Sequence, residues 1–194
     1  MKFSLERSRE LAASDKITTR SHVAVLFDEK YPFRVGLADK NFMIQILVHN
    51  RLGNTGMTYD AFLTEDYQQS VNYQAVLLPF PKEYNTDEII TIKEFLKERE
   101  IPVVQLTVDD YDITASELRE RLLGAGVHCY CATGDVVYHG NGYLAIHAAT
   151  EGKKTIHLPS VSKISPLNEN GEAEISDCIE IEMKQYETLM FRTE

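Results

Sequence analysis

The sequence predicts an α/β domain built on a small parallel sheet, followed by a small antiparallel all-β domain. Two observations carry this. Strand-like apolar runs alternate with amphipathic helical stripes from Ser21 to Gly126, and from Val127 to Glu194 the stripes give way to short alternating runs separated by turn residues. A polar lead-in, residues 1–20, precedes them, which places the domains at 21–126 and 127–194. No Pro- or Ser-rich linker separates the halves, so close packing is expected rather than a tether.

Each element follows from its own residues. HVAVLFD, His22 to Asp28, is a β-branched and apolar run of the kind that fills a buried parallel strand. Pro32 and Gly36 break it, and from Asp39 the residues Met43, Ile44, Leu47, Val48 and Leu52 form a helical stripe that Gly53 can end. MTYDAFL, Met57 to Leu63, and AVLLPFP, Ala75 to Pro81, read as the second and third strands. The helix that follows has Asn85 as its expected cap, Glu88 three residues on, and Ile89, Ile92, Phe95 and Leu96 on one face. IPVVQLTV is the fourth strand. Thr114 and Glu117 then have capping-box spacing ahead of a helix that aligns Leu118 with Leu122 and stops at Gly124. Strands and helices alternating at this spacing imply right-handed crossovers and a flavodoxin-like strand order.

The second half divides into VHCYCA, DVVYHG, YLAIHAA, KKTIHLP, VSKISPL, CIEIEM and ETLMFR, all expected as strands. Within it, Leu144, Ile146, Ile156 and Leu158 are assigned to the core. A turn over Thr150 to Gly152, with a positive-φ glycine, would set Ile146 opposite Ile156 in a hairpin. That register puts His147 opposite Thr155 and His157 opposite Ala145, diagonal neighbours roughly 7 Å apart on the less apolar face. Two histidines with no Cys or acid beside them make a poor metal site, so they read as polar-face residues and no metal ligand is assigned.

Composition narrows the function classes. The net charge is −10, from 30 acidic and 20 basic residues, and no window gathers Lys and Arg into a stripe, which argues against nucleic-acid binding. No apolar run approaches the roughly 20 residues of a membrane span, and MKFSLERSRELAASDK lacks the apolar core of a signal peptide, so a cytoplasmic protein is expected. The three cysteines, Cys129, Cys131 and Cys178, offer one C-x-C and no second pair for zinc, and are expected as reduced thiols.

In an open parallel sheet, ligands gather beyond the carboxyl ends of the strands. Those loops supply the acids Asp28, Glu29, Asp109, Asp110 and Asp112 but no glycine-rich phosphate cradle, so no cofactor is assigned. The end of the third strand, Leu78-Pro79-Phe80, lacks the acid a phosphoacceptor site would need. No G-x-S-x-G elbow occurs and no Cys lies in the α/β half, so no catalytic residue is assigned. Asp28, Tyr31, Phe80 and Asp110 remain as ligand-binding candidates, because aromatic rings beside carboxylates suit a sugar.

The run HVAVLFDEKYPF, the following helix, MTYDAFLTED, AVLLPFPKEYNTDEIITIKEFLKEREIPVV, and VVYHGNGYLAIHAATEGKKTIHLP with ETLMFR resemble the C-terminal region of family 42 β-galactosidases, over about Ser21 to Arg192. The resemblance implies a trimerisation domain with the class I glutamine amidotransferase-like fold, then a small β domain. It implies a homo-oligomer, a trimer, or a catalytic barrel domain as partner, and carbohydrate as the substrate class. The family's catalytic glutamates lie in a barrel of about 250 residues that these elements leave no room for, so none carries over. The nucleophilic Cys of an amidotransferase is absent as well, and the fold implies no such activity. A non-catalytic accessory or oligomerisation module is the leading expectation. A small-molecule (sugar) binding protein or enzyme using the cleft at the strand ends is the alternative.

Overall fold

A computed structural model describes residues 21–30, 48, 50–80, 84, 86–167 and 173–194. The α/β domain holds four parallel strands, β1 (Val23–Phe27), β2 (Tyr59–Leu63), β3 (Ala75–Leu78) and β4 (Val103–Gln105), in the order β2-β1-β3-β4. This is the expected flavodoxin-like order, and it follows from the alternation of strands with crossovers.

Alternate residues of the central strands explain how both faces are covered. Val23, Val25, Ala75 and Leu77 share one core with Leu118 and Leu122 of helix α2 (Ala115–Gly124). Ala24, Leu26, Val76 and Leu78 share another with Ile89, Ile92 and Leu96 of helix α1 (Asp87–Glu98). Val48 and Leu52 join the first of these cores, so helical residues cover both faces, and strands buried on both sides read as continuous apolar runs. The α2 capping box forms as its spacing predicts: Thr114 Oγ1 accepts the Glu117 N–H and Glu117 Oε2 accepts the Thr114 N–H. For α1 the cap is Thr86, whose hydroxyl accepts the Ile89 N–H, while Asn85 lies outside the described residues. Thr is the capping type one residue nearer the helix, and its oxygen reaches the third helical N–H. Of the expected helix from Asp39, residues 48 and 50–53 are described, and they are helical. The polar stretch Thr64–Asn72 forms a 3-10 segment.

The second domain is a five-stranded antiparallel sheet of β5 (Val136–Gly140), β6 (Tyr143–His147), β7 (Gly152–Pro166), β8 (Glu174–Met183) and β9 (Thr188–Thr193), in the order β5-β6-β9-β7-β8. Its core contains Leu144, Ile146, Ile156 and Leu158, the four residues assigned from alternation. The expected pairing of that segment does not form. Strand β9 lies between β6 and β7, so Ile146 faces Val137 and Leu189, while Ile156 faces Ile179. The backbone between the strands is engaged elsewhere: Ala148 exchanges hydrogen bonds with Tyr186 and Glu187, and the Ala149 N–H goes to Asp135. That holds β7 a strand's width away and opens the slot that β9 fills. Gly152 does adopt a positive φ, 117°. Two further expectations change. VHCYCA forms no strand, and KKTIHLP and VSKISPL fuse into the single 15-residue β7, with a register shift between His157 and Ser162.

Candidate functional site

The β domain docks on one end of the parallel sheet. Gly56, His22 and Gln74 lie just ahead of β2, β1 and β3, and all three contact the segment Val127–Cys131. The Gly56 carbonyl accepts the Tyr130 N–H at 2.8 Å, and Gln74 Oε1 accepts the His128 N–H at 2.8 Å. Gly56 has φ 73°, and a β-carbon there would lie 1.6 Å from the Cys131 carbonyl oxygen, so only glycine fits. This explains why VHCYCA is not a strand: its backbone bonds go sideways, to Gly56 and to the N–H of His157, rather than into a ladder.

At the centre of the junction is Tyr130, fully buried. Its hydroxyl lies 3.0 Å from His22 Nε2 and 2.8 Å from His139 Nδ1, and His139 Nε2 lies 3.1 Å from Thr193 Oγ1. A phenol carries one proton, so one imidazole accepts from Tyr130 and the other donates to it. His128 adds an edge-on contact to the Tyr130 ring, 4.7 Å between centroids, and donates from Nε2 to the His157 carbonyl at 2.9 Å. The amino end of the sheet is thereby sealed by a polar network with both domains in it.

At the carboxyl end, the ligand-binding candidates have internal partners. Asp28 is 1% exposed; Oδ1 accepts the Lys30 N–H at 2.8 Å and Oδ2 accepts the Tyr84 hydroxyl. Phe80 is fully buried, with its ring edge-on to Tyr84, so the structure does bring Asp28 and Phe80 to one shared neighbour. Asp110 is occupied separately. Its Oδ1 pairs with Arg121 Nη2 at 2.5 Å and its Oδ2 accepts the Thr107 N–H at 2.7 Å. Burial pushes its carboxyl up, but the Arg121 and Thr107 hydrogen bonds outweigh that and hold it below the ordinary carboxylate range. It belongs to an acidic hollow with Asp109, Asp112, Glu117 and Glu120, which neither Asp28 nor Phe80 lines. Tyr31 lies outside the described residues.

The histidines of the expected hairpin are separated. His147 bonds Thr188 Oγ1 through Nδ1 at 2.8 Å and stacks on Tyr186, while His157 sits opposite Cys178, on the far side of β9. Among the described residues, no group of three or more His, Cys, Asp or Glu is arranged to hold a metal ion. Cys129, Cys131 and Cys178 are free thiols, and burial pushes the Cys129 thiol up, away from the reactive thiolate.

Two features escape a reading by alternation. The first is the buried ion pair of Lys154 and Asp135, side chains 2% and 0% exposed, with Nζ 3.1 Å from Oδ2. Burial raises the Asp135 carboxyl, but hydrogen bonds from Thr133, the Ala149 N–H and Lys154 prevail and hold it low. Lys154 sits in phase with Ile156 and Leu158 because its partner waits inside the core. The second is a cavity of about 690 Å³ between the β2 edge and the outer face of β5, β6 and β9, lined by Tyr59, Asp60, Tyr138, Asn141, Tyr143 and Met190 among others. Its one sequence signal is a pair of tyrosines, Tyr138 and Tyr143, out of phase with the core positions of their strands. No family model and no curated protein matches the chain.

Proposed function

We propose that the chain is a non-catalytic accessory module that mediates assembly, working as a homo-oligomer or beside a sugar-cleaving barrel domain, as the resemblance to the C-terminal region of family 42 β-galactosidases implies. The observation that carries this reading is the far end of the β7–β8 ribbon. Val161 is 63% exposed and Ile175 is 78% exposed, with Ile175 opposite Lys163 beyond the register shift. Covering such side chains is worth about 1.5–3 kcal/mol each, a contribution the isolated chain forgoes and a partner recovers. The internal engagement of Asp28, Phe80 and Asp110 supports the same reading, since groups held by their own neighbours suit a scaffold.

Sedimentation velocity over a wide concentration range tests it. Self-association is expected, a trimer by the resemblance, and lysine at both Val161 and Ile175 should shift it to monomer with an unchanged far-ultraviolet spectrum. A strict monomer at every concentration, with no affinity for a family 42 barrel, would overturn the assembly role. Turnover of a chromogenic β-galactoside by the purified chain would overturn the non-catalytic one.

A further inference from the structure

The outward face of the antiparallel sheet differs at its two edges. Toward β5, Tyr138 is opposite Ala145 and Gly140 is opposite Tyr143, so phenol rings occupy one diagonal of a four-residue tile and small residues the other. On β9, Met190 stands beside Ala145. The result is a trough of about 690 Å³ with the β2 edge as its second wall. Tyr138 is 67% exposed there, a large ring that a neighbouring molecule could cover.

Toward β8 the same face ends in an aliphatic residue. Ile164 belongs to the core, so Lys163 beside it points outward, and so does Ile175, the residue opposite Lys163. Ile175 is 78% exposed. Lys163 and Arg192 share one carboxylate, Glu194, at 3.5 Å and 3.0 Å, which leaves one positive charge over among the three. The trough, in contrast, contains Asp60. That carboxylate keeps its bond to Tyr73 and contributes here through the sign of its charge. Strand addition at the β8 edge is disfavoured, because the Ser176 hydroxyl takes both the N–H and the carbonyl of Cys178. Contact at this end therefore falls to side chains.

From these features we infer that the trough of one copy of the chain receives the Ile175 end of the next. The occupant is a second copy because one chain carries both members of a complementary pair: an aliphatic end beside a surplus cation, and an aromatic trough containing a carboxylate. A chain of net charge −10 repels its own kind, so self-contact belongs where the signs differ. Tyr, Met and Arg are enriched in interfaces, and Tyr138, Tyr143, Met190 and Arg192 share this face. The trough and the Ile175 end lie at opposite edges, β5 and β8, of the order β5-β6-β9-β7-β8. Being different surfaces, they meet head-to-tail, and the contact passes from copy to copy until it closes as a ring. The inference rests on the assembly reading above and adds what the Ile175 patch binds.

Sedimentation velocity on the full chain, its variants and their mixture tests this. Ile175→Lys and Tyr138→Lys should each weaken self-association by at least about tenfold, while Tyr111→Lys, between Asp110 and Asp112, should leave it unchanged. Ile175 and Tyr138 are both exposed, so the far-ultraviolet spectrum should stay the same. An equimolar mixture of the two weakened variants decides the pairing. The Tyr138→Lys chain keeps its Ile175 end and the Ile175→Lys chain keeps its trough, so together they should form a one-to-one pair. Nothing larger should form, because the two remaining ends both carry lysine. Association of Tyr138→Lys at wild-type strength, or a mixture that stays monomeric, overturns the inference while the assembly reading stands on Ile175→Lys. A wild-type chain that is monomeric at every concentration overturns it too, and the assembly reading falls with it only if a family 42 barrel also fails to bind.

Discussion

The two ends of the parallel sheet are closed by different means. At the carboxyl end, the acids are satisfied within the α/β domain: Asp28 with Lys30 and Tyr84, Asp110 with Thr107 and Arg121. At the amino end, groups ahead of β1, β2 and β3 reach across to another domain, His22 and Gly56 to Tyr130 and Gln74 to His128. Local closure spreads small energies over separable contacts. Closure by a second domain concentrates them, so one residue can decide whether two units stay joined.

Variants graded by expected effect sharpen that contrast. The largest effect falls in the domain that forms the cap. Lys154→Met leaves Asp135 buried without its cation and should cost about 3–5 kcal/mol in urea unfolding, whereas Lys154→Met with Asp135→Leu should recover most of it. If the single change were as mild as the double one, the pair would not be what holds the β domain's core. Next comes the junction itself. Gly56→Ala combines a positive φ with a β-carbon on the Cys131 carbonyl, and a loss of about 3 kcal/mol is expected, with the two domains unfolding in separate transitions.

Tyr130→Phe keeps the ring and removes the hydroxyl between His22 and His139, so a loss of about 1–3 kcal/mol is expected by thermal unfolding. The smallest effect belongs to the carboxyl end. Asp110→Asn should cost less than about 1 kcal/mol, because Arg121 is largely exposed and solvent screens the pair. Its pH dependence has a definite sign. The folded carboxyl is held below its unfolded value, so the stabilisation is present above the unfolded carboxylate range and lost as pH falls through the lower folded value. The stability difference between wild type and Asp110→Asn should therefore vanish in acid, and a difference that grew there would reverse the assignment. Asp135 follows the same direction.

Most of the architecture was legible in the residues because it is written in local periodicity. The apolar runs at β1 and β3, the Leu118–Leu122 stripe and the Thr114–Glu117 box each report their own element, and alternation placed Leu144, Ile146, Ile156 and Leu158 in the core. The strand order β2-β1-β3-β4 followed from how crossovers pack. Where the reading departed from the structure, the missing information was non-local. A tight turn at Thr150–Gly152 is locally sound, but Asp135, Tyr186 and Glu187 claim the backbone at Ala148 and Ala149, and β9 enters between the strands. The candidates at the carboxyl end, Asp28, Phe80 and Asp110, came from a rule about open sheets, and the structure adds their neighbours: Tyr84 beside Asp28 and Phe80, and Arg121 beside Asp110.

By itself, then, the sequence determined the two domains, the parallel sheet with a helix on each face, and which residues of each strand point inward, since these depend on patterns a few residues long. The tertiary structure alone decided the neighbours of each strand in the β domain, the burial of Lys154 against Asp135, and the end of the sheet on which that domain sits. Those outcomes depend on hydrogen-bonding groups far apart in the chain competing for the same partners. Gly56 reads as an ordinary turn residue until the Cys131 carbonyl is brought against it.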